Sequence, residues 1–163
     1  MRLSNLLGVL GLGVTLGWVL AWLGMVFCSL LVILDLGVGP RAYVPGFRPL
    51  MSGLTVWMLI TALGFGHLRV ALTRARRAGP LDGEVAQRVG QGGRWLLLAG
   101  LFSLVILILW PRSVQTSAEL SALWMPSAVL STLLSLALPL LLIGLSGWLD
   151  EGRRLRDRAR EVV

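Results

Sequence analysis

Few side chains in this sequence are of a type that does chemistry. The 163 residues hold one histidine, His67, one cysteine, Cys28, eight carboxylates and fifteen basic residues, all of them arginine. A zinc site takes three or four His, Cys or carboxylate ligands, and one histidine with one cysteine falls short of that. A nucleophile needs a base within hydrogen-bond reach, yet Cys28 is embedded in a long apolar run remote from His67. Asp35 and His67 fall at opposite ends of two successive apolar segments and cannot act as a pair. Asp82 and Glu84 stand just after Gly79-Pro80, where the capping of a helix explains both. The "GQGG" of Gly90–Gly93 lacks the Lys-Ser/Thr ending and the preceding strand of a phosphate-binding loop. The expectation is a non-enzymatic protein with no catalytic residue, no metal and no cofactor.

Arginine remains. The stretch "TRARRAGPLDGEVAQRVGQGGRW", Thr73–Trp95, carries five arginines against two carboxylates. Guanidinium groups suit bidentate contacts with phosphate or carboxylate. The stretch has no recognition-helix pattern and no interleaved aromatics, so direct nucleic-acid binding is not expected. Its surroundings offer a simpler reason for the charge. The chain is 56% hydrophobic and 14% charged, with a mean hydropathy of +0.81, where a soluble domain has about 25% charged residues.

Four segments are long and apolar enough, or nearly so, to cross a bilayer, which takes roughly 20 residues each. They are Leu6–Leu34, Leu50–Gly66, Trp95–Trp110 and Trp124–Leu149. The first is too long for a signal-peptide core of roughly 7–15 residues and reads as a retained anchor. The third is short, but it carries an indole at each end, as interfacial tryptophans do. The fold class expected is all-α: an integral membrane four-helix bundle with cytoplasmic helical extensions. It forms a single membrane domain over 1–163, with a loop at 67–94 and a tail at 150–163.

With four crossings, one side receives the N-terminus, the loop and the tail. That side holds Arg2, the six loop arginines from Arg69 to Arg94 and the five tail arginines from Arg153 to Arg160, while Arg41, Arg48 and Arg112 face the other way. Cytoplasmic loops collect positive charge. The protein is therefore expected in the bacterial inner (plasma) membrane as a multi-pass protein with both termini cytoplasmic and the lipid bilayer around it. No ionisable residue lies deep in any crossing, which argues against a proton-coupled transporter.

The cytoplasmic parts read as helices. "HLRVALTRARRA" extends the second crossing to a Gly79-Pro80 stop. A short helix follows with Leu81, Val85 and Val89 on one face and Glu84–Arg88 as an i,i+4 pair. Gly90, Gly92 and Gly93 are expected to weaken it. The pair is expected as a helical hairpin at the membrane surface. In the tail, Trp148, Gly152, Leu155, Ala159 and Val162 make a narrow seam, flanked by the pairs Asp150–Arg154 and Arg153–Asp157. Candidate docking residues for a protein partner are Leu81, Val85, Arg88, Val89, Arg153, Leu155, Ala159 and Val162. The two helices could instead pack on each other. Gly13, Gly17 and Ala21, and Ser127, Ser131 and Ser135, form small-residue ridges for close helix packing, within the bundle or between copies in a homo-oligomer. Pro139 should kink the fourth helix, and a kink of that kind could border a cavity for a lipophilic ligand.

The loop "RRAGPLDGEVAQRVGQGGRWLLLAG" and the tail "DEGRRLRDRAREVV", together with the order of four crossings, resemble the bacterial membrane family known as domain of unknown function 2975. In that family the loop runs from a helix end through Gly, a Phe-Thr-like start, Glu and an Arg-rich helix to a Trp-Leu-Leu opening. The tail is of the type Glu-Gly-x-x-Leu-Arg-Glu-Glu. Here Leu81 and Asp82 stand in place of Phe and Thr. The resemblance implies no enzymatic activity. It also implies a partner that is a small helix-turn-helix regulator held or released at the membrane. The alternative reading is an accessory subunit of a transporter or other membrane complex.

Overall fold

The computed structural model describes the backbone of residues 3–38, 47–80, 82–113 and 118–161, and side chains chiefly over 8–34, 51–80, 82–106 and 133–161. Arg2, Arg41, Leu81 and Val162, with the side chains of Asp35, Arg48, Arg112, Ser127 and Ser131, lie outside the described residues. The described chain is four helices: α1 Leu3–Val38, α2 Phe47–Ala78, α3 Gly83–Ser113 and α4 Ala118–Glu161. Each contains a stretch long and apolar enough to cross a membrane: Gly8–Leu34, Met51–Ala78, Gly83–Ile106 and Leu133–Glu161.

The segment 67–94, expected to hold the end of the second helix and a further short helix, is helical on both sides of the turn after Ala78. α2 runs unbroken to Ala78. Gly79, at φ 94°, turns the chain in the left-handed region. Its N–H donates to the Ala75 carbonyl at 3.1 Å, which closes the last turn in the manner of an αL cap. Asp82 then caps α3, its Oδ1 accepting from the Glu84 N–H at 3.3 Å. The expected surface hairpin is therefore simply the abutting ends of two long helices, joined by a turn at 79–82. At about 1.5 Å per residue α2 is about 48 Å long.

Among the described residues, close backbone packing joins helices that are neighbours in sequence. α1 lies on α2, α2 on α3 and α3 on α4, and among the described residues the backbones of α1 and α3, α1 and α4, and α2 and α4 do not approach closely. The expected bundle is thus open, an antiparallel row. Edge position shows in burial: the apolar windows of α1 and α4 are 11% and 6% buried, those of α2 and α3 22% and 33%.

Small residues decide how closely the row packs. On α1, Gly17, Ala21, Gly24 and Cys28 share the face that meets α2; Ala21 and Cys28 are buried, and Gly17 and Gly24 approach Phe65 and Met58. Gly13, expected in that ridge, has nothing within 4 Å of a β-carbon built there. The glycines of α3 do not interrupt its helix. Gly92 faces α2, where an added β-carbon would stand 3.1 Å from the Gly64 carbonyl oxygen, and Gly93 faces α4, 3.2 Å from that of Pro139. Each helical glycine costs about 1 kcal/mol against alanine; contact between backbones on both sides of α3 offsets this. Hydroxyl groups are satisfied within their own helices. Thr15, Ser29, Thr55, Thr61 and Thr73 each donate to the carbonyl four residues back at 2.8 Å, which removes the need for water or a partner helix.

Candidate functional site

Antiparallel packing gathers the arginine-rich ends of the chain at one end of the row. The Arg76 guanidinium on α2 reaches the Gly8 carbonyl on α1 at 3.5 Å. Arg74 on α2 pairs with Glu84 on α3. Arg153 on α4 lies over Gly83 at the start of α3. The pair expected between Glu84 and Arg88 is not the one formed, because the turn brings Arg74 to the carboxylate from the neighbouring helix. Both side chains are about half exposed, so the pair stabilises by at most about 1 kcal/mol.

Of the expected docking residues that are described, Arg88 turns to His67 and the other five divide into two groups. Val85 and Val89 are buried, at 4% and 9% exposure, in a cluster with Ala71 and Ala75 of α2, against which Leu142 and Leu149 of α4 pack. Their mate is α2 and the inner face of α4. Arg153, Leu155 and Ala159 are exposed. The tail seam expected through Trp148, Gly152, Leu155 and Ala159 does not meet α3: Trp148 is 84% exposed and Leu155 57%. The face that does meet α3 runs through Leu142, Leu149 and two residues beside glycines, Ser146 near Gly90 and Arg153 near Gly83. It is rotated by one residue, about 100° around the helix. Arg154 pairs with Asp150 at 3.1 Å and Arg153 with Asp157 at 3.7 Å, as the spacing predicts. Of the serine ridge, Ser135 borders Gly100 of α3. Pro139 is fully buried, with its carbonyl against Gly93 of α3.

Because α1 and α3 flank α2 without close approach of their backbones, a groove of about 660 Å³ opens along α2. On α2 it follows Leu63, Gly66 and His67, Val70, Thr73 and Arg74, and Arg77, the three-and-four spacing of one helix face. Trp18 and Trp22 line it from α1 and Arg88 from α3. The two indoles meet edge to face, centroids 6.3 Å apart. The Arg69 guanidinium lies 4.8 Å from the centre of the Trp18 ring, a cation–π arrangement. Arg88 donates to Nδ1 of His67 at 3.4 Å. Among the described residues Arg69, Arg77 and Arg88 have no carboxylate partner, and no group of three His, Cys, Asp or Glu residues could hold a metal ion.

No family, curated protein or solved structure matches the chain.

The groove was not evident from the separate segments. Its signal was present: two tryptophans four apart in α1, and arginines at helical spacing from His67 in α2. Only their juxtaposition was missing.

Proposed function

We propose that this is a non-enzymatic, multi-pass protein of the bacterial inner (plasma) membrane, with both termini in the cytoplasm, that docks a protein partner at its arginine-rich end. The membrane part of this reading is supported by the open row. Apolar side chains such as Leu16, Leu23, Phe27, Leu134 and Leu141 are more than half exposed along α1 and α4. Apolar faces this extensive need lipid or protein cover.

One observation carries the docking reading. The Arg153 guanidinium reaches Gly83, where α3 begins. The helix therefore continues through residues 154–161 with no neighbouring helix among the described residues. Leu155 is its one large apolar side chain, set among arginines, and Val85 and Val89 are already engaged elsewhere. The docking surface is accordingly the tail beyond Arg153, with Leu155 and Ala159, and the partner we propose is a small helix-turn-helix regulator held there and released on a change in the membrane. The test is affinity purification of the tagged protein from native membranes in mild detergent. Leu155→Asp should abolish recovery of a soluble partner while membrane insertion is unchanged. Recovery of the same partner with that variant would refute docking at the tail.

The second reading, an accessory subunit of a transporter or other membrane complex, is favoured by the open side of Gly13 on the edge helix α1. In that case the same purification yields partners with membrane helices, and Gly13→Leu, not Leu155→Asp, removes them.

A further inference from the structure

We propose that the groove between α1 and α3 binds an anionic phospholipid, its phosphate held by Arg69, Arg77 and Arg88 and an acyl chain lying over Trp18, Trp22 and Leu63. The proposal rests on the membrane reading above and is independent of the docking partner.

Charge complementarity comes first. The groove is lined by four arginines, of which Arg74 is paired with Glu84. The other three are left with guanidinium donors and no carboxylate among the described residues. Guanidinium forks match phosphate oxygens in geometry and charge. Two of the three are already positioned: Arg69 rests on the Trp18 ring and Arg88 is held by His67 Nδ1. Holding donors in place before binding lowers the ordering cost.

The floor of the groove selects a lipid over a small anion. Alongside the arginines it is lined by Trp18, Trp22, Leu63 and Val70, with little to offer inorganic phosphate. A diacyl phosphate ester meets both halves at once. The groove also lies where α2 changes from "ITALGFG" to "HLRVALTRARRA", at the level where indoles and basic groups meet a bilayer interface. The backbones of α1 and α3 do not approach closely over it, which leaves a side opening for a lipid to enter from the bilayer.

The test uses the full chain in phosphatidylcholine vesicles containing phosphatidylglycerol, with retained lipid read by native mass spectrometry. The wild type should retain phosphatidylglycerol over phosphatidylcholine. Arg69→Gln, Arg77→Gln and Arg88→Gln together should lower that retention at least about tenfold, and singly by less. Arg154→Gln with Arg158→Gln, which removes tail charge, should change nothing. Val70→Trp, which fills the groove and leaves the charge intact, should also lower retention. Equal loss from groove and tail variants would mean bulk attraction and overturn the site. Displacement by free inorganic phosphate would make it a small-anion site, and an unaffected Val70→Trp would place the acyl chain elsewhere; either overturns the proposal. Failure of the wild type to float with the vesicles would overturn the membrane reading itself, whereas a floating protein without lipid preference sinks only the site.

Discussion

Gly100 on α3 lies against the backbone of Ser135 on α4: a β-carbon added to Gly100 would stand 2.9 Å from the Ser135 carbonyl oxygen. Pro139, four residues further on, has no N–H to offer that carbonyl. The Pro139 carbonyl in turn meets Gly93. The proline in α4 and the glycines of α3 are therefore one packing device, in which helix-breaking residues on one strand of the row are matched by small residues on the next. Gly100→Ala should destabilise the protein by about 1–3 kcal/mol, since backbone must move. Gly13→Ala, with open space around it, should be neutral or stabilising by up to about 1 kcal/mol. Thermal unfolding in detergent measures both, and equal shifts would contradict the packing described.

The turn between α2 and α3 sets the register of the arginine-rich end. Gly79 adopts φ 94°, a region that costs an L-residue about 1–2 kcal/mol. Gly79→Ala should lower stability by about that much. Asp82→Ala should cost about 1 kcal/mol through loss of the cap, while Asp82→Asn, an equally good capping residue, should not. Hydrogen exchange in the first turn of α3 reports the cap directly: faster exchange with Asp82→Asn as well as Asp82→Ala would mean that the carboxylate charge, not its hydrogen bond, holds the helix start.

Four antiparallel helices place both termini on one side of any membrane they cross. In a Cys28→Ser background, Thr73→Cys and Arg158→Cys should be labelled by an impermeant maleimide only from the cytoplasmic side, and Leu36→Cys only from the opposite side. Labelling of Thr73→Cys and Arg158→Cys from opposite sides would remove one helix from the membrane and with it the four-crossing reading.

Much of this structure was legible from local pattern. Apolar runs of sufficient length and the absence of strand signals point to four helices, and Gly79-Pro80 with Asp82 marks where α2 ends and α3 begins, because capping is chemistry between residues a few positions apart. The glycines Gly90–Gly93 misled for the same reason. Local propensity counts a glycine as a loss, and the compensating contact with Gly64 and Pro139 comes from other helices.

The sequence by itself determined the elements: four long apolar helices, the turn and cap between the second and the third, and the asymmetric distribution of arginine. These follow from residue type and short-range spacing. Only the tertiary structure decided which face of each helix is covered. An apolar stripe reads alike whether protein or lipid lies against it, so the tail seam at Trp148 and Leu155 and the inner face at Leu142 and Leu149 could not be told apart before α3 was in place. It also decided that the row stays open. That opening leaves a channel over α2, and it brings Trp18, His67, Arg69 and Arg88, from three different helices, into a single groove.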